Sequence, residues 1–280
     1  HIIIADQHSS DRTREIALTF PKVTLIDNNE VGHSNKVRWM LLDEARKIPG
    51  TNMLATIDVD EMISPEWFRC AKKEYDGTAS ALCFSFSWIQ LWGCFDQYRT
   101  DGVWKDSKKT AVWIDDRTID YHRVPVLNDH TSRVPEKGLE VVSVKEYPLL
   151  HFQFVSLHSN AYKQAWYRMS ELLAGKSPSS INYRYMDSKN GGHVILKEVD
   201  TRWFEGIKLI PPSDHPLESS HRKEILMWFE RYGIAYFEPL DIWDILELRI
   251  LFEKEVGRSP RPKHYPKILV ALNRLRKIFT

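Results

Sequence analysis

Three short apolar segments, each closed by polar residues and followed by a helical pattern, constrain the fold of this sequence more than any other feature. Residues 2–5 read as a buried strand, Asp6-Gln7-His8-Ser9-Ser10-Asp11 as a polar turn and 12–19 as a helix. Residues 23–26 form a second strand. They precede a helix over 35–47 with Val37, Leu41 and Ala45 on one stripe and Arg46-Lys47 at its carboxyl end, where cations suit the helix dipole. The third strand, 53–59, ends in acids. After it, Ser64-Pro65-Glu66 supplies a capping serine, a proline at the first helical position and an acid in the first turn. Three strand–helix units in succession predict a parallel sheet.

Beyond Gly77 the pattern changes. Leu82, Phe84, Phe86 and Trp88 alternate with Cys83, Ser85 and Ser87, as in a half-buried strand, and 110–114, 139–144 and 149–154 are further strand candidates. A mixed or antiparallel portion is therefore expected, its loops rich in Asp, His, Arg and Pro. Helical periodicity dominates 159–173, 218–232 and 242–256. The sequence thus predicts an α/β class, with a domain over 1–158 and a helical extension over 159–280. Residues 263–279 set Ile268, Leu272, Leu275 and Phe279 on one stripe, with Lys263, Lys267, Arg274 and Lys277 elsewhere. That is the pattern of a terminal helix docked on its own domain, and equally of one that could lie on an anionic membrane surface.

A chain of 280 residues with 42% hydrophobic content can build one sizeable core. Lys and Arg number 39 against 38 for Asp and Glu, so the net charge of +1 gives no reason to expect nucleic acid. Cys70, Cys83 and Cys94 are odd in number and lack CxxC spacing, which favours a reducing compartment and a cytoplasmic address. No run approaches the ~20 apolar residues of a membrane-spanning helix, and the amino end lacks the layout of a signal peptide. The chain opens at His1 straight into Ile2-Ile3-Ile4, which suggests an amino-terminal truncation. Aromatic content is 12% with ten tryptophans. Most of these rings are expected in the core, though flat faces also stack on sugars.

The chemistry is expected at Asp58-Val59-Asp60-Glu61, because ligands of open parallel sheets bind beyond the carboxyl ends of the strands. Carboxylates at i and i+2 of a turn can converge on one hard divalent cation that also takes substrate phosphates. The bland alternative is a solvated acidic loop ahead of a helix. The Asp6 loop, expected on the same sheet edge, adds weight to the metal reading.

In order and character these features resemble the family-two glycosyltransferases of the GT-A fold. Residues 4–13, IADQHSSDRT, are similar to the family's V-D-D-G-S-T-D-G-T signature, with Gln7 and His8 replacing its second acid and glycine. Ile57-Asp58-Val59-Asp60-Glu61 is similar to the L-D-x-D-E form of bacterial enzymes that build lipopolysaccharide and capsule. The resemblance covers about residues 2–170 and lacks the family's first strand. It implies a Rossmann-type mixed sheet and transfer of a sugar from a nucleotide-sugar donor to a glycan or lipid-linked acceptor, with inversion and with Mn²⁺ or Mg²⁺. By it, Asp60 ligates the metal, Asp58 assists the metal or the ribose, Asp6 contacts base or ribose, and Lys36 and Arg38 lie near the diphosphate. The family's later acid-and-histidine pair, strand histidine and lysine–tyrosine helix would be Asp129-His130, His151, and Lys163 with Tyr167.

An inverting transfer needs a general base for the acceptor hydroxyl. Asp129 is the first candidate, in a loop with His130 and Arg133, and Asp115 and Asp116 are the runners-up. His151 could join Asp58 and Asp60 as a metal ligand or be a hydrogen-bonded structural histidine. Trp92, Tyr98 and Trp104 could form an acceptor-sugar platform. Arg99, Lys163 and Arg168 could meet phosphates. Two other functions compete: metal-dependent phosphoryl transfer or hydrolysis at the same acids, and a non-catalytic carbohydrate-binding module with structural calcium.

Overall fold

A computed structural model describes residues 1–30, 36–75, 82–119, 133–135, 138–186, 194–211 and 220–261 of the protein. It is a mixed α/β structure. In chain order the elements are β1 (Ile2–Asp6), α1 (Thr13–Leu18), β2 (Val23–Asp27), α2 (Lys36–Ala45), β3 (Asn52–Ala55), β4 (Glu61–Ile63), α3 (Pro65–Tyr75), β5 (Leu82–Leu91), β6 (Gln97–Arg99), β7 (Lys108–Asp115), β8 (Glu140–His151), α4 (Leu157–Leu173), α5 (Pro178–Arg184), β9 (Leu196–Glu198), α6 (Ser220–Tyr232) and α7 (Leu246–Val256). None of the described helices is long and apolar enough to cross a membrane. The segment 263–279 lies outside the described residues.

The chain divides into two compact units, residues 1–87 with 108–149 and residues 88–107 with 150–280. The sequence led us to expect one break, at 158/159. Residues 88–107 join the carboxy-terminal unit instead, because β6 pairs with the end of β5 through Gln90–Arg99 and with β9 through Gln97–Glu198.

In the first unit, β1 and β2 are parallel, with Asp6 opposite Asp27 at their carboxyl ends. The expected third parallel strand takes another partner. β3 is shorter than predicted, ends at Ala55, and runs antiparallel to β7 in register Asn52–Asp115 to Ala55–Val112. The main chain at Thr56 still donates to Ala111 O at 2.8 Å before the acidic turn begins. β5 also pairs antiparallel with β7.

β5 was expected to be half-buried, yet its first five residues are all buried. Both of its faces are covered. Trp67 of α3 meets Phe84 and Phe86 edge-on at 5.3 and 4.9 Å, while Cys83 packs with Leu42 of α2, Trp113 of β7 and Val134. A strand covered on both sides loses its polar-out alternation, and here the small Cys83 and Ser85 stand where a solvent-facing strand would carry larger polar residues.

In the second unit, α4 packs on α5 and α6. Met169, Ile181, Ile225, Phe237, Leu248 and Phe252 form its core. Ser156 caps α4, accepting from Ser159 N at 3.2 Å, and Ser177 with Pro178 starts α5. α7 ends where Gly257 turns left-handed at φ 76°, its N–H returning to Glu253 O at 3.0 Å. Asn182 ties α5 to the segment ahead of α7, donating to Pro239 O at 2.9 Å and accepting from Asp241 N at 2.8 Å.

Candidate functional site

The acidic turn follows β3. Its first carboxylate, Asp58, has a side chain 55% exposed, while Glu61 is wholly buried at the start of β4. The turn closes on itself. Glu61 N donates to Asp58 O at 3.0 Å, and Asp58 N donates to Glu61 Oε2 at 3.0 Å. Arg133 spans both acids, giving Nη2 to Asp58 Oδ2 at 2.6 Å and to Glu61 Oε1 at 3.1 Å, and Nη1 to Glu61 Oε2. A buried carboxylate needs such a partner, since an uncompensated charge away from water is very costly. Glu61 therefore holds Arg133, and Arg133 reaches out to Asp58.

Two more cations belong to this cluster. Lys109 of β7 is half-buried; burial pushes its ammonium below the ordinary lysine range, and Arg133 and Arg38 push the same way against the pull of Glu61 and Asp58. Arg38 comes from the first turns of α2, a helix that packs on β1. Asp58, Glu61, Arg133, Lys109 and Arg38 thus share one electrostatic neighbourhood, with Val59 fully exposed between Asp58 and Asp60. Sequence reading missed Lys109. Its only signal was a pair of lysines opening an otherwise buried strand.

Asp58 and Asp60 are hard oxygen donors on an exposed turn, the kind of ligand that Mg²⁺ or Mn²⁺ takes. The described residues contain no group of three or more His, Cys, Asp or Glu side chains able to hold an ion by themselves. A cation held by one or two carboxylates and completed by substrate phosphates does not require one. His151 belongs to the second unit. There Nδ1–H donates to Gln90 Oε1 at 2.5 Å, which sets the tautomer with the lone pair on Nε2, and the ring stacks on Trp88 at 5.0 Å.

The remaining expected residues have varied fates. Asp6 is buried and faces inward: Ser9 N and Arg14 Nη1 donate to Oδ2 at 3.1 and 2.7 Å, and Ser9 Oγ donates to Oδ1 at 2.5 Å. These hydrogen bonds hold its carboxyl below the usual carboxylate range. Asp6 organises its turn rather than presenting its oxygens to a nucleotide. The exposed acid on that edge is Asp27, which accepts from Arg14 at 2.8 Å and which the sequence reading passed over. Lys36 pairs with Glu30 at 3.7 Å.

Asp115 and Asp116 serve the end of α2. Arg46 grips Asp115 with two bonds of 2.8 Å, Arg117 N donates to it at 3.0 Å, and the Arg117 guanidinium donates to the carbonyls of Arg46, Ile48 and Gly50. Three hydrogen bonds and a buried ion pair thus engage the Asp115 carboxylate, which weakens it as a general base. Asp116 accepts from Thr118 N and Oγ, and these bonds lower its pKa and weaken it as a base. Asp129 and His130 lie outside the described residues.

The aromatic platform is also altered. Trp92 is 4% exposed, stacked on Phe154 at 4.6 Å and under the Arg99 guanidinium at 4.6 Å, so its ring is core. Arg99 itself is clamped by Asp101 with two bonds of 2.8 Å. Tyr98 leans on Trp203 at 5.9 Å. Trp104 is half-buried against Trp88 and Phe154, and its Nε1 has no hydrogen-bond partner, nor does Gln90 Nε2.

No protein-family model matches the chain, and no curated protein is similar to it.

Proposed function

We propose that the chain is a glycosyltransferase that moves a sugar from a nucleotide-diphosphate donor to a glycan or lipid-linked acceptor at the Asp58–Glu61 turn. The observation that supports this best is the mixed cluster itself. Exposed Asp58 and half-exposed Asp60, which suit a divalent ion, stand in one cluster with Lys109 and Arg38, which suit the diphosphate, and with Arg133, which is held by Glu61 and Asp58. A single-sign patch would serve either an ion or a phosphate; a cluster carrying both suits a metal–diphosphate pair. An ion held by Asp58 and Asp60 would supply charge neutralisation on the departing diphosphate.

In this reading Arg133 keeps Asp58 oriented, Glu61 anchors Arg133 from the buried side, and Lys109 and Arg38 take phosphate oxygens. The sequence also draws us to Asp129 as the base for the acceptor hydroxyl, with Asp115 set aside by its clamp. The test is a donor panel of UDP-, GDP- and dTDP-sugars with Mn²⁺ or Mg²⁺, following release of nucleotide diphosphate. We expect release from one donor, lost with chelator and in Asp60→Ala. Release of inorganic phosphate without sugar transfer would point instead to the phosphoryl-transfer class.

A further inference from the structure

The acidic turn carries a cation of its own. Arg133 Nη2 donates at 2.6 Å to Asp58 Oδ2, on the carboxylate proposed to hold a divalent ion. The guanidinium is anchored from behind: Nη1 donates to Glu61 Oε2, and Nη2 also reaches Glu61 Oε1 at 3.1 Å. Glu61 and Arg133 are buried, whereas the Asp58 side chain is exposed. The two ends of this bridge therefore differ in strength. The Glu61 end is two-pronged and shielded from water; the Asp58 end is a single bond open to solvent screening.

Nη2 is the atom that the two acids share. It can leave Asp58 while Nη1 keeps Glu61, so freeing Asp58 strands no buried charge. The surrounding charge decides what draws it away. Asp58, Asp60 and Glu61 carry three negative charges, and Arg133, Lys109 and Arg38 carry three positive ones in the same neighbourhood. A bare divalent ion adds positive charge to a balanced cluster and meets a carboxylate already paired with a guanidinium. A diphosphate changes both conditions. Its oxygens compensate the ion, and they offer Nη2 another anionic partner.

We infer that Arg133 competes with the divalent ion for Asp58, and that a diphosphate relieves the competition by taking over Nη2. Ion and diphosphate then enter together, each raising the affinity of the other. This role rests on the proposed reading of the turn as an ion site, and Arg133 sets how that site fills.

The test is titration of Mn²⁺ into the full chain, alone and with inorganic pyrophosphate, followed by water-proton relaxation, which reports ion held on the slowly tumbling protein. No sugar need be transferred. Two variants remove the competitor at constant net charge. Glu61→Gln with Arg133→Met takes away both members of the buried pair and keeps an acceptor for Asp58 N. Arg133→Lys keeps a countercharge for Glu61 but lacks the fork that reaches both acids, and it preserves the test if the double variant does not fold. We expect Mn²⁺ alone to bind either variant about fivefold more tightly than the parent, the weight of an ion pair that reaches solvent. Pyrophosphate should raise Mn²⁺ affinity about tenfold in the parent and less in the variants. Adding Asp58→Asn should cancel the gain. Folded variants that bind Mn²⁺ no more tightly than the parent, or a gain that survives Asp58→Asn, would overturn the inference. So would a pyrophosphate effect equal in parent and variants. Failure of every nucleotide-sugar to turn over, with these gains intact, would sink the transferase reading and leave the exchange at Asp58 standing.

Discussion

Arg133 and Arg168, a buried arginine from each unit, are held in different ways. Arg133 faces carboxylates, fully buried Glu61 and exposed Asp58. Arg168 donates to main-chain carbonyls of Gln164 and Tyr185 and lies over the Tyr185 ring at 5.0 Å. The first arrangement ends at solvent on a charged atom, so its geometry can respond to a charged ligand. The second draws on a carbonyl inside α4 and on one at the end of α5, and its geometry is set by packing. Burial of an arginine alone does not mark a reactive site. What distinguishes the two is whether its partner also reaches the surface.

The largest expected effect tests this contrast. Arg133→Met leaves Glu61 buried without its countercharge and should cost about 3–5 kcal/mol in urea unfolding, with Glu61→Leu in the same chain restoring much of the loss. Arg168→Met removes donors from two carbonyls and should cost less, about 1–3 kcal/mol. Equal losses at the two positions would erase the distinction.

The second unit also carries a pH-dependent staple. Arg258 above all, helped by Arg261 N, holds the Glu238 carboxyl at about 2. The folded pKa is depressed from 4.5, so the stabilisation is fully present above pH 4.5 and is lost as pH falls through 2. Melting temperature should decline across that window, and Glu238→Gln should flatten the part of the decline that this group causes. A variant as steep as the parent would locate the acid sensitivity elsewhere.

The smallest effect on stability belongs to Asp58→Asn. It removes one exposed end of an ion pair and should shift unfolding by less than about 1 kcal/mol, while removing metal-dependent ligand binding.

The strand–helix succession and the acidic turn were legible because each rests on local signals: apolar runs, a Ser-Pro cap, acids at a strand end. Helices α1 and α2 lie within the predicted ranges, and α3 starts at the predicted Ser64-Pro65 cap, for that reason. The partner of β3 was not legible, since register is decided between segments far apart in the chain, here Asn52–Ala55 and Val112–Asp115. Nor was the burial of β5, which needs α2 and α3 on opposite faces. At the site, Asp58-Val59-Asp60-Glu61 stood out, yet nothing local said that Glu61 points inward or that Arg133, more than 70 residues on, would bind it. Asp115 misled for the same reason: an acid at a strand end reads as available until its distant partner, Arg46, is known. Arg168 looked like a solvated helix charge and is the largest of the fully buried side chains.

The most direct measurement of the central claim is calorimetric titration of UDP, GDP and dTDP into the chain, with and without Mg²⁺ or Mn²⁺, beside the stable Asp58→Asn variant. The account predicts that one nucleotide diphosphate binds, that binding needs the ion, and that the variant loses it. A folded chain that binds none of the three, or a variant that binds as tightly as its parent, would contradict it.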